Sequence, residues 1–224
     1  MTIQCILFDL DNTIIDRPKS IRKYSTVFRE SFSSFLGGID NERLFQLIHE
    51  ADAGGYKGKE QMVAELLTVI HWQEVPTAEQ LLSHWYEHYP LCSEPMDGLF
   101  EVLETLDRSA MPMGMITNGK TTTQNQKIDI LGIRRYMRCV TVSQTVGVSK
   151  PDRRIFELTL GEMGTDASGS WYVGDHPSND ILGASAAGLT AVWFRGSHDW
   201  PAGVEEPEYQ IDRFGQLLGL IEDR

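Results

Sequence analysis

The chain has 224 residues, 41% hydrophobic and 23% charged, which excludes a disordered or fibrous chain and leaves room for one large domain or a medium one with an attachment. Its formal net charge of −12, with a pI near 4.9, opposes polyanions, so neither nucleic acid nor anionic membrane is an expected partner. Cys5, Cys92 and Cys139 are too scattered for a disulfide framework or a thiolate metal site. Reduced thiols, no membrane span and no signal peptide are expected, and hence a cytoplasmic location.

Residues Ile3 to Phe8 form a short apolar run that stops at an acidic turn, the pattern of a buried strand. From about residue 17 to 92 strand signals vanish. Apolar residues recur instead at helical spacing, as in Tyr24, Val27, Phe28, Phe32 and Phe35, or Leu81, Leu82 and Trp85. Gly37-Gly38, Gly54-Gly55 and Pro76 punctuate these runs, predicting about four helices in a bundle. After Pro95 the pattern alternates. Helices are expected near Leu99–Leu106, Thr122–Leu131, Asp152–Met163, Asn179–Ala187 and Phe214–Ile221, and strands at Met113–Thr117, Cys139–Val142, Trp171–Val173 and Thr190–Phe194. Such alternation predicts an α/β fold, a doubly wound parallel sheet with helices on both faces. The expected domains are a core of residues 1–16 and 93–224 and a helical insertion over 17–92.

Ligands of doubly wound sheets sit beyond the carboxyl ends of the strands. Four strand ends here carry polar residues: Asp9-Leu10-Asp11-Asn12-Thr13, Thr117-Asn118-Gly119, the loop ending at Lys150-Pro151-Asp152, and Gly174-Asp175-His176 through Asp180. If they converge, several carboxylates share one crevice, and their repulsion calls for a divalent cation and a lysine. Oxygen-only ligation suits Mg²⁺ rather than zinc. A cation and a fixed lysine in a crevice outline a phosphoryl-transfer site, in which an aspartate can attack phosphorus and a second carboxyl two residues on can move the proton.

These four segments, in this order, resemble the motifs of the haloacid dehalogenase (HAD) superfamily. The resemblance implies a Rossmann-like core with strand order 5-4-1-2-3 and a helical cap inserted after the first motif. It implies that Asp9 is the nucleophile and a magnesium ligand. Asp11 would be the general acid/base, ligating through its main-chain carbonyl, and Thr117 and Asn118 would bind phosphate. Lys150 would neutralise the nucleophile and the phosphoryl group, Asp175 would complete the metal shell, and Asp180 would stand behind it. The second aspartate points to phosphate esters, since a halide leaving group needs no proton. Arg153 stands where many relatives carry Pro. The expected activity is therefore Mg²⁺-dependent hydrolysis of a small phosphorylated metabolite, with a phosphomutase on the same fold as the alternative.

Single residues have plainer explanations. Asp and Asn end many strands in turns, Ser178 or Asp180 suits a helix N-cap, and His176 suits a turn. The Trp72, Trp85, Tyr86 and Tyr89 cluster reads as core of the helical insertion. Gly114 to Thr121 matches the phosphate-loop pattern G-x-x-x-x-G-K-[ST], an alternative nucleotide site that would include Lys120. Its first glycine lies inside an apolar run rather than at a strand end, so the context fails. A non-catalytic binding protein would be expected to lack at least one of Asp9, Asp11, Thr117, Lys150 and Asp175. Substrate identity and oligomeric state are not legible.

Overall fold

The computed structural model describes residues 3–222. The chain divides into two compact units, one formed by residues up to Ile15 together with those from Pro95 onward, the other spanning Asp16–Glu94. In chain order, β1 (Cys5–Phe8) is followed by the helices of the second unit, α1 (Arg17–Ser31), α2 (Asn41–Asp52), α3 (Lys59–Val69) and α4 (Ala78–His88). The first unit resumes with α5 (Leu99–Arg108), β2 (Met113–Thr117), α6 (Thr121–Ile130), β3 (Cys139–Val142), α7 (Ser143–Val146) and α8 (Arg153–Met163). It closes with β4 (Ser170–Gly174), α9 (Gly183–Ala186), β5 (Thr190–Phe194), β6 (Tyr209–Ile211) and α10 (Gln216–Glu222). No helix among the described residues is long and apolar enough to cross a membrane.

The strands of the sheet pair in parallel, in the order β3-β2-β1-β4-β5-β6. Read from the other edge this is the expected 5-4-1-2-3, with β6 added outside β5. Alternation along each strand divides the core into two layers. Ile6, Phe8, Met113, Met115, Trp171 and Val173 pack on one face with Leu103 of α5, Ile128 of α6 and Leu217 of α10. Cys5, Leu7, Ile116, Tyr172 and Trp193 pack on the other with Ile155, Phe156 and Leu160 of α8. Both faces are covered, which is why these strands read as continuous apolar runs. Each fully buried side chain of this kind contributes about 1.5–3 kcal/mol.

Gly114 sits in the middle of β2, where a Cβ would come within 2.8 Å of Leu7 Cδ2 and 3.1 Å of Cys139 Sγ. It is a packing glycine in a strand, and the phosphate-loop match has no loop behind it. Two expectations are corrected. The helix expected over Asn179–Ala187 is a π-helical turn, Pro177–Leu182, followed by the short α9. Neither Ser178 nor Asp180 caps it; His176 does, with Nδ1 accepting from Ser178 N and Asn179 N at 3.1 Å each. The three-residue β6 was not expected, because it is too short to show an alternation.

The second unit has its own core, in which Tyr24, Phe28 and Phe32 of the first helix and its end meet Trp85 and Tyr89, with Trp72 and Tyr86 packed against them. Trp85 and Tyr89 stack at 4.1 Å. Asp16 caps α1 and the Thr77–Gln80 capping box starts α4, so the polar residues at these boundaries set where the helices begin. Asp52, fully buried, accepts from Arg17 Nε at 2.6 Å and Nη2 at 2.8 Å and from Lys59 Nζ at 2.6 Å. Burial pushes its pKa up, but Arg17 and Lys59 together hold it down at about 2.

Candidate active site

β1 lies between β2 and β4, so its carboxyl end is at the point where strand order reverses. Asp9 follows directly, and its N–H still donates to Val173 O of β4 at 2.9 Å, which carries the sheet ladder one residue past the strand. The chain then turns sharply. Asn12 takes a left-handed φ of 61°, which asparagine tolerates better than most residues, and Ile14 and Ile15 N–H both donate back to Leu10 O.

Lys150 reaches Asp9 from the loop after α7. Its ammonium donates to Asp9 Oδ1 at 2.5 Å, Asp180 Oδ1 at 2.6 Å and the Tyr172 hydroxyl at 2.8 Å, which uses its three hydrogens. Burial pulls the lysine pKa down, but Asp180 and Asp9 more than reverse this, so the ammonium is held above its ordinary value. The Asn118 side chain fixes the lysine main chain, accepting from Lys150 N at 2.9 Å and donating to Lys150 O at 3.0 Å. Asn118 thus places the lysine with its side chain.

Asp175 directly follows β4, and Asp180 lies in the π-helical turn after it. Gly174 precedes them because a Cβ there would sit 2.5 Å from Asp180 Cβ and 2.6 Å from its Cγ. Asp180 Oδ2 accepts from His176 N at 3.0 Å, so both of its oxygens are engaged. Asp175 differs. It is fully buried, and neither carboxylate oxygen has a hydrogen-bond partner among the described residues. His198 Nε2 stands 3.4 Å from Asp175 Oδ2, and its ring lies 4.7 Å from that of His176.

Asp9, Asp175 and Asp180 each bring an oxygen within 4.8 Å of the others. Burial raises the Asp9 pKa to about 7 against the attraction of Lys150, and burial with Asp180 and Asp9 nearby raises that of Asp175 as well. Three buried carboxylates against one ammonium leave negative charge uncompensated. An orphaned carboxylate in an all-oxygen cluster fits a hard divalent cation such as Mg²⁺, with Asp9 and Asp175 as the residues to hold it and Asp180 committed to Lys150.

Asp11 lies on the α6 side of this cluster. Both its oxygens accept from Lys127 Nζ at 2.8 Å, and Gln124 Nε2 donates to Oδ2 at 3.0 Å. The same amide donates to the Thr117 hydroxyl oxygen at 2.6 Å. The structure thus joins Asp9, Lys150 and Asp180 by hydrogen bonds, brings Asp175 within 4.8 Å of both aspartates, and links Asp11 to Thr117 through Gln124. Lys120 lies at the start of α6, exposed. Sequence reasoning missed Gln124, Lys127, Tyr172 and His198. Nothing in the sequence singles them out, since each finds its partner only through tertiary packing.

A family model described as haloacid dehalogenase-like hydrolase matches residues 6–194. A pyrimidine 5'-nucleotidase of Escherichia coli is 33% identical over 57% of the chain; the match spans 56%, little more than half, of that relative's own length. A phosphoserine phosphatase of Thermus thermophilus is 30% identical over 87% of the chain and 69% of its own length. A phosphoglycolate phosphatase of Agrobacterium fabrum is 27% identical over 96% and 91%. Among solved structures, the magnesium-bound HAD-hydrolase YfnB of Bacillus subtilis shares the fold with a TM-score of 0.77 at 20% identity, covering 99% of both chains. On this agreement of family model, relatives and fold, the chain belongs to the haloacid dehalogenase-like hydrolases and groups with their phosphatases.

Proposed function

We propose that this phosphatase hydrolyses a small phosphorylated metabolite through an aspartyl-phosphate at Asp9, with Mg²⁺ held by Asp9, Asp175 and the main-chain carbonyl of Asp11. The observation that carries the reading is the Asp175 carboxylate, buried without a hydrogen-bond partner beside an aspartate that is itself paired to a buried lysine. When bound, the cation neutralises the carboxylates and draws charge from the phosphoryl oxygens. Lys150 adds a fixed positive charge on the nucleophile and the transferring group, and Asp180 with Tyr172 keeps it in place. The Thr117 hydroxyl and the main chain at Asn118 bind the phosphoryl oxygens.

In the first half, an Asp9 oxygen attacks phosphorus, the ester P–O bond breaks, and Asp11 gives its proton to the leaving oxygen. In the second, Asp11 takes a proton from water, the water oxygen attacks phosphorus, and the bond to Asp9 breaks to release phosphate. In this reading the helical unit is the cap and selects the leaving group. Relatives whose names specify pyrimidine nucleotides, phosphoserine and phosphoglycolate support small phosphate monoesters as the substrate class.

The test is phosphate release from a panel of such esters by the purified protein, with Mg²⁺, with EDTA, and with Asp9→Asn. Release that stops on chelation and falls at least about 1,000-fold in Asp9→Asn is expected. An Asp9→Asn protein with near-normal turnover removes the nucleophile assignment, and turnover unchanged by EDTA removes the cation.

A further inference from the structure

The Asp11 carboxylate is gripped from one helix. Gln124 and Lys127 are three residues apart on α6, on one face, and both are almost fully buried, at 2% and 3% exposure. A lysine that deep in a core is rare without a partner. Here its ammonium stands 2.8 Å from both Asp11 oxygens, while Asp11 keeps 21% of its side chain exposed. The Gln124 amide nitrogen has two hydrogens and reaches three acceptors: Asp11 Oδ2 at 3.0 Å, Thr117 Oγ1 at 2.6 Å and Asn118 O at 3.3 Å. Because Thr117 Oγ1 accepts from Gln124, its own hydrogen is directed to another acceptor.

We propose that Lys127 and Gln124 are positioning residues for the proton-handling step: they hold the Asp11 carboxylate through both oxygens and lock it in register with the Thr117 hydroxyl. The proposal rests on the assignment of Asp11 as the acid and base. The effect of both residues runs through Asp11, so it scales with how much the leaving group needs a proton. A nitrophenolate departs without one, whereas a phenolate of ordinary basicity leaves far more readily when protonated.

The experiment measures kcat/KM on phenyl phosphate and p-nitrophenyl phosphate, in Mg²⁺, for wild type, Asp9→Asn, Lys127→Met, Lys127→Arg, Gln124→Met, Asp11→Asn and the Lys127→Met/Asp11→Asn double variant. Lys127→Met is expected to lose about 100-fold on phenyl phosphate, with a loss about 10-fold smaller on p-nitrophenyl phosphate. Lys127→Arg, which keeps charge and donors, recovers most of it. Gln124→Met follows the same leaving-group pattern and also raises KM, since it frees Thr117. In the Asp11→Asn background, removal of Lys127 costs less than about threefold, because the group it positions is already gone. The double variant also lacks an unpaired buried charge at this site, so it serves if Lys127→Met alone fails to fold. Equal losses on the two esters, or a Lys127→Met loss that multiplies fully with that of Asp11→Asn, would overturn the proposal while Asp9→Asn stays inactive. Turnover of p-nitrophenyl phosphate by Asp9→Asn would instead remove the underlying mechanism, and the proposal with it.

Discussion

Replacing Asp175 by Asn should make the metal-free protein more stable and the magnesium-loaded protein less so. Asp175 is fully buried, has no hydrogen-bond partner among the described residues, and shares a cluster whose oxygens lie within 4.8 Å of one another. At an effective dielectric of about 20, two unit charges at that distance repel by about 3.5 kcal/mol. Lys150 and proton uptake offset part of this, so a gain of about 2–3 kcal/mol is expected on neutralisation. In a protein of this size that raises the melting temperature by about 4–12 °C. The sign reverses with the cation: Mg²⁺ at 100 times its dissociation constant stabilises the native wild type by about 2.7 kcal/mol, and the variant gains far less. The pH dependence follows from the raised pKa of Asp175. The folded metal-free protein keeps a proton that the unfolded chain gives up above about pH 4, so wild-type stability falls as pH rises and the advantage of Asn grows with it. Thermal melts of both proteins in EDTA and in Mg²⁺, at about pH 5 and about pH 8, read all of this. A variant less stable than wild type in EDTA, or one stabilised by Mg²⁺ as strongly as wild type, would refute the reasoning.

Gly174→Ala should cost about 1–3 kcal/mol and lower turnover, because the added methyl displaces Asp180 from Lys150 and from His176 N; urea unfolding and steady-state rates check it, and an unaltered enzyme would show that Asp180 can move freely. In the helical unit, Asp52→Ala leaves Arg17 and Lys59 facing a lost counter-ion and should destabilise by about 3–5 kcal/mol, measured by denaturant titration. Since the folded pKa of Asp52 is depressed to about 2, its stabilising contribution is full above about pH 4 and disappears as pH falls toward 2; melts of wild type across that window should lose about 2 kcal/mol that Asp52→Ala does not lose.

The second unit shows how far local pattern carries. Tyr24, Phe28 and Phe32 repeat at helical spacing, and they form the core that the spacing predicts. Arg17, Lys19 and Arg22 pair with Asp52, Asp16 and Glu42. Asp52 lies 35 residues from Arg17, and no local rule connects them.

By itself the sequence determined β1 to β5, because both faces of the sheet are covered and each of these strands is a mostly apolar run, and it determined the acidic and lysine-bearing loops that follow them. Asp9, Asp11, Lys150, Asp175 and Asp180 are legible because they sit at fixed short distances from those runs. Tertiary structure decided which side chains hold them. Tyr172 looks like one more core residue of β4, Lys127 and Gln124 look like a solvated helix face, and His198 lies in an irregular loop. Each acquires its partner across 8 to 116 residues of chain. Packing of elements distant in the chain makes those contacts, and a pattern of period two or 3.6 carries no information about which element will be the neighbour.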